Sequence, residues 1–112
     1  MADQKEIQSK AGALAKTYGD RKCLDFAKAL KSWLVSQKLK GKFLTLVNAG
    51  PSRGFICLAD DPNHSISDTG KHYAVEVDGI VYDNFHAKGL ARQSWQKRYV
   101  ADTDLKVESS PF

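Results

Sequence analysis

The chain is poor in the residues that usually build covalently or metal-stapled folds: of 112 residues, two are cysteine, three histidine, three proline and one methionine. Cys23 and Cys57 are too few for a disulfide scaffold, and a domain of this length buries a core without one, so both are expected as free thiols. No Cys-x-x-Cys or His-x-x-x-His spacing occurs, which argues against zinc, and no cofactor is expected. No run of 18 apolar residues is available to cross a bilayer, and the opening MADQKEIQSK lacks the apolar stretch of a signal peptide. The expectation is one soluble domain over residues 1–112 with its globular part at about 20–100, no membrane partner, and export only as part of a larger parent protein. Repeats and low-complexity segments are absent.

Acidic residues are scarce in the first part of the chain. Residues 1–43 hold ten Lys or Arg against four Asp or Glu, whereas residues 44–112 hold seven against nine, within a net charge of +4. Such a bias can mark a surface for nucleic acid or an acidic protein. Here the lysines fall among helix positions that face water, so a solvated helix face is the favoured reading and a nucleic-acid partner is not.

What is present is periodicity that changes along the chain. Ile7, Ala11, Leu14, Ala15 and Tyr18 recur at helical spacing, with Asp3 as N-cap and Glu6 three residues on, predicting a helix over 3–18 that Gly19-Asp20 ends. Cys23, Phe26, Ala27, Leu30 and Leu34 predict a second helix over 22–39, closed by Gly41, with Cys23 at the top of its buried stripe. KFLTLVNAG and GFICLAD then read as two strands joined by a short loop at Pro51 and Gly54, and Asp60 to Lys71 as a polar loop. HYAVEV and IVYDNF flank Asp78-Gly79, a dipeptide that favours a type I′ hairpin turn. GLARQSWQKRY predicts a short helix carrying Leu90 and Trp95, and DLKVES a final edge strand. Helices followed by antiparallel strands make an α+β domain in which helix two packs on the sheet.

The hairpin register brings chemistry together. A two-residue turn pairs Val77 with Ile80, Val75 with Tyr82, Ala74 with Asp83 and His72 with Phe85. Tyr73, Val75, Val77, Ile80 and Tyr82 then form the core face, while His72, Ala74, Glu76, Val81, Asp83 and Phe85 share the other and Asn84 points away from it. His72 and Asp83 become diagonal neighbours within reach of a hydrogen bond. A carboxylate on the far imidazole nitrogen orients the ring and stabilises its protonated form, so that the near nitrogen can serve a thiol. Cys23, beside Arg21 and Lys22 at a helix N-terminus, is the thiol in the electropositive setting that favours thiolate. Cys57, inside the apolar run Phe55-Ile56-Cys57-Leu58, reads as a core residue, and His64 and His86 read as surface imidazoles.

Taken in order, KCLDFAKALKSWL opening a helix on cysteine, then GKFLTL, then HYAVEVDGIVYDN with His before a hairpin and Asp on its second strand, resembles the papain-fold toxin family over about residues 20–100. The resemblance implies a papain-like fold, N-terminal helices packed on a small antiparallel β-sheet, with Cys23 as nucleophile, His72 as general base and Asp83 as orienting acid. It further implies peptidase or deamidase chemistry on an amide of a protein substrate, a role as the toxin module of a bacterial polymorphic toxin, and a cognate immunity protein. Residues 17–22 contain no glutamine to stabilise an oxyanion. The expected donors are therefore the Cys23 backbone N–H and a second group near Asp20 or at Asn48. The alternative is a non-catalytic module of the same fold that holds an acidic protein or nucleic acid on its basic helical surface.

Overall fold

The amphipathic stripes at the start of the chain form two helices, α1 (Gln4–Thr17) and α2 (Cys23–Ser36). Asp3 caps α1, its carboxylate accepting from the Glu6 N–H at 2.9 Å. The end of α2 differs from the expectation. Lys38, at φ +60°, takes the left-handed position, and the Leu39 N–H closes back on the Leu34 carbonyl at 3.0 Å, so the helix stops at Ser36 without needing Gly41. Gly41 answers a different demand: a Cβ there would lie 2.5 Å from the Glu76 carbonyl oxygen. The computed structural model describes residues 3–19, 21–48, 55–67, 69–101 and 105–112, Pro62 by its backbone alone. Asp20, the Ala49-Gly50 end of the first predicted strand, and the Pro51 to Gly54 loop lie outside them.

Among the described residues eight strands follow: β1 (Lys42–Asn48), β2 (Ile56–Leu58), β3 (Asp61–Ser67), β4 (Lys71–Val77), β5 (Ile80–Tyr82), β6 (Leu90–Ala91), β7 (Tyr99–Val100) and β8 (Leu105–Pro111), with α3 (Arg92–Gln96) between β6 and β7. They make a five-stranded sheet in the order β6-β5-β4-β1-β8 and a three-stranded sheet in the order β3-β2-β7. The β4–β5 register pairs Val77 with Ile80 and Val75 with Tyr82, across a turn with positive φ at both Asp78 and Gly79. That pairing stops at Tyr82, so Asp83 and Phe85 are not ladder partners of Ala74 and His72. The segment from Asp61 to Ser67, expected as loop, is strand. It pairs with β2 through two register shifts, which accommodate a sequence with no alternation of its own.

A second correction concerns the core. The helices cover one face of the large sheet, where Ile7, Ala11, Phe26, Leu30 and Leu34 pack on Val75, Val77 and Tyr82. The opposite face is equally covered, because Ile56, Ile66, Trp95 and Tyr99, from β2, β3, α3 and β7, pack on Leu44, Leu46, Ala74 and Val81. The result is three layers, helices, large sheet, and small sheet with α3. Strand β4 lies in the middle with His72, Ala74, Val75, Glu76 and Val77 all buried. Among the described residues no helix is long and apolar enough to cross a membrane.

Candidate active site

Cys23 opens α2 as its first residue, and the preceding turn is fixed from two sides: the Gly19 carbonyl accepts from the Lys22 N–H at 3.1 Å and from Asn84 Nδ2 at 2.8 Å. Asn84 thereby ties the residue after Asp83 to the loop that delivers the cysteine. Cys23 is 8% exposed and lies at the wall of a cleft of about 500 Å³ lined also by Arg21, Leu24, Ile66, Ser67, Thr69, Lys71 and Tyr73. Burial by itself pushes the thiol up. The His72 side chain and the backbone N–H groups of Tyr73 and Leu24 outweigh that and hold it below the ordinary thiol value.

His72 is fully buried on β4, and its Nε2 lies 2.9 Å from Asp83 Oδ2. Its other nitrogen, Nδ1, is buried with no formed hydrogen bond. The thiol and the imidazole therefore influence each other's charge without an aligned hydrogen bond between them, a looseness common in active sites before substrate tightens them. Burial alone disfavours the imidazolium, but Asp83 and Cys23 together raise its pKa to about 9. Rings surround it, with Tyr99 at 4.7 Å, Phe85 at 6.2 Å and Trp95 stacked at 6.3 Å between centroids. Such a wall excludes water and offers π-faces to a cation.

Asp83 is also fully buried, and both of its oxygens are saturated. Oδ2 accepts from His72 Nε2, from Trp95 Nε1 at 2.7 Å and from the Tyr99 hydroxyl. Oδ1 accepts from the Phe85 N–H at 2.9 Å, the His86 N–H at 2.7 Å and His86 Nδ1 at 3.0 Å. Burial would raise a lone carboxyl, but His72 and His86 with these donors hold it far below the usual carboxylate range. Burial, reinforced by the Asp83 charge, drives the Tyr99 hydroxyl well above its ordinary pKa.

The structure thus brings the sulfur of Cys23, the ring of His72 and the carboxylate of Asp83 to one place, and adds three groups that the sequence reading did not put there. His86, read as a surface imidazole, is a partner of Asp83. Its signal was the spacing, since an Asp whose side chain caps the N–H groups two and three residues on also meets the side chain at the third position. Trp95 and Tyr99 reach Asp83 from α3 and β7, and a buried indole N–H or phenol needs an acceptor. His64 lies in β3 with its ring 6.4 Å from Phe85. Cys57 is half-buried rather than core, because Ile56 beside it takes the inward position; both thiols are free. Asn48 donates to the Phe55 carbonyl at 3.5 Å and is not among the residues lining the cleft, and Asp20 lies outside the described residues. Among the described residues no group of three or more His, Cys, Asp or Glu is arranged to hold a metal ion.

A helix-borne cysteine, a strand-borne histidine and a carboxylate just past the next strand thus stand together, and in the comparison with family models Papain fold toxin 2 matches residues 6–100. The chain belongs to this papain-fold toxin family. The match runs from the first turn of α1 to β7, so it takes in every residue of the site just described. No curated protein and no solved structure matches the chain.

Proposed function

We propose that the 112 residues act as one papain-like domain that performs thiol-dependent hydrolysis or acyl transfer on an amide of a protein substrate, with Cys23 as nucleophile, His72 as acid and base, and Asp83 as the orienting carboxylate. The observation that carries the reading is the state of His72: Nε2 is committed to a saturated carboxylate, while Nδ1 is buried, unpartnered and electrostatically coupled to a thiol held below its ordinary pKa. A group so buried is costly to leave unpaired unless it has another use.

In this mechanism the resting pair is thiolate and imidazolium. Cys23 Sγ bonds to the carbonyl carbon, and the oxyanion is met by the Cys23 N–H at the start of α2. His72 Nδ1–H then protonates the leaving nitrogen as its bond to carbon breaks, leaving a thioester and neutral imidazole. Water, deprotonated by that imidazole, attacks the thioester, and the carboxylic acid leaves as the thiolate re-forms. Ammonia as leaving group makes this deamidation; a peptide amine makes it proteolysis. General acid–base help of this kind contributes about 10²- to 10⁴-fold. As a toxin module the domain calls for an immunity protein that covers the cleft in the producing cell.

Induced expression in bacterial cells tests the reading. The native chain should arrest growth, and Cys23→Ala, His72→Ala and Asp83→Ala should each relieve it while Cys57→Ala does not. Arrest that persists undiminished in folded Cys23→Ala would overturn it in favour of binding through the basic helices.

A further inference from the structure

Ser67, Thr69 and Lys71 line the cleft that Cys23 also lines, and they bring hydrogen-bonding groups and a positive charge to it. Ser67 Oγ accepts from the Thr69 N–H and the Lys71 N–H, each at 3.3 Å, and lies 3.1 Å from Thr69 Oγ1. A hydroxyl oxygen has two lone pairs, and both are used by these N–H groups. Ser67 must therefore donate its own hydrogen to Thr69 Oγ1, which leaves the Thr69 hydroxyl hydrogen free for a ligand. Thr69 is exposed and lines the cleft, as does Lys71, whose ammonium has no carboxylate partner among the described residues. Lys71 stands two residues before Tyr73 on β4, so both share a strand face beside the thiol. Arg21 adds a second cation on the α2 side, its guanidinium donating to the Ser65 carbonyl at 3.3 Å. No Asp or Glu is found among the described residues that line it.

We infer that the cleft selects an amide with a carboxylate close to the reacting carbonyl, held by Lys71 and the Thr69 hydroxyl. The inference rests on Cys23 being the nucleophile and adds the class of substrate: an acidic peptide segment. Lysines spread over α1 and α2 have no such relation to the sulfur, so the discriminating charge is Lys71 and not the basic half of the chain.

Two haloacetyl reagents of nearly equal size test this. Iodoacetamide and iodoacetate each alkylate a thiolate at their methylene carbon with loss of iodide, and they differ in an amide against a carboxylate beside that carbon. The ratio of the iodoacetate rate to the iodoacetamide rate at Cys23, read by mass spectrometry against Cys57 in the same molecule, should be several-fold higher for Cys23. Lys71→Met should lower that ratio about three- to tenfold, Thr69→Val by less, and 1 M salt should lower it in the native chain. Lys38→Met, at the far end of α2, should leave it in place. A ratio at Cys23 equal to that at Cys57, or one indifferent to Lys71→Met, overturns the inference while fast iodoacetamide labelling keeps the nucleophile reading. Slow labelling by both reagents overturns the nucleophile reading and the inference with it.

Discussion

The two faces of the large sheet are covered equally well but by different means. On the helical face Phe26, Ala27, Leu30 and Leu34 meet Val75, Val77 and Tyr82 through apolar contact alone. On the other face the packing of Ile56, Ile66, Ala74 and Val81 surrounds a buried charge, Asp83, with His72, Trp95 and Tyr99 donating to it. The first face is tolerant in kind, since any well-fitted hydrophobe serves. The second is specific, because a buried carboxylate is stable only while its donors stay in place. What the contrast teaches is that stability and reactivity are separable on one face and joined on the other.

The largest effect that would break this contrast is at Asp83. Asp83→Ala leaves the buried His72 ring, the half-buried His86 ring, an indole and a phenol without their acceptor, and should cost about 3–5 kcal/mol in denaturant unfolding. It should also abolish enhanced Cys23 labelling, because His72 loses the group that keeps it protonated. Leu30→Ala, buried on the helical face, should cost a comparable 2–5 kcal/mol. Yet the pH profile of Cys23 labelling should stay where it was. If Leu30→Ala moves that profile as far as Asp83→Ala does, the two faces are not separable.

A smaller change sharpens the comparison. Tyr99→Phe removes one of three donors to Oδ2 and keeps the ring against His72, and should cost about 1–3 kcal/mol. With one donor fewer on Oδ2, the carboxylate leans harder on His72. The imidazolium should then titrate no lower than its native value of about 9, which histidine NMR would read directly. A fall in that value would mean that Tyr99 supports the imidazolium by some route other than Asp83.

The same contrast explains what was legible beforehand. The helical face is written in local periodicity: Ile7, Ala11, Phe26, Leu30 and Leu34 fall at helical intervals, and the Asp78-Gly79 turn fixes the β4–β5 register that sets Val75 and Val77 against it. The edge strand β8 was likewise visible in its alternation. The other face is assembled from distant, short pieces. Strand β3 carries Asp61, Asn63, His64 and Ser65, residues that favour loops, and is held as strand by pairing with β2 rather than by its own pattern. Of the site, Cys23, His72 and Asp83 could be read from the helix start and the hairpin. Trp95 and Tyr99 could not, since they lie 12 and 16 residues beyond Asp83 and meet it only once α3 and β7 fold back. The second face of core was hidden for the same reason.

The most direct test of the central claim is the pH dependence of Cys23 alkylation by iodoacetamide, followed by mass spectrometry in the native chain and in His72→Ala, with Cys57 as reference. Labelling of Cys23 should begin well below the ~8.5 of a free thiol and hold level until the imidazolium loses its proton near pH 9. In His72→Ala its onset should move up into the range of an ordinary free thiol. A native profile that rises only with the ordinary thiol, or one that His72→Ala leaves unmoved, would show that Cys23 is a packed residue beside a structural histidine and contradict the account.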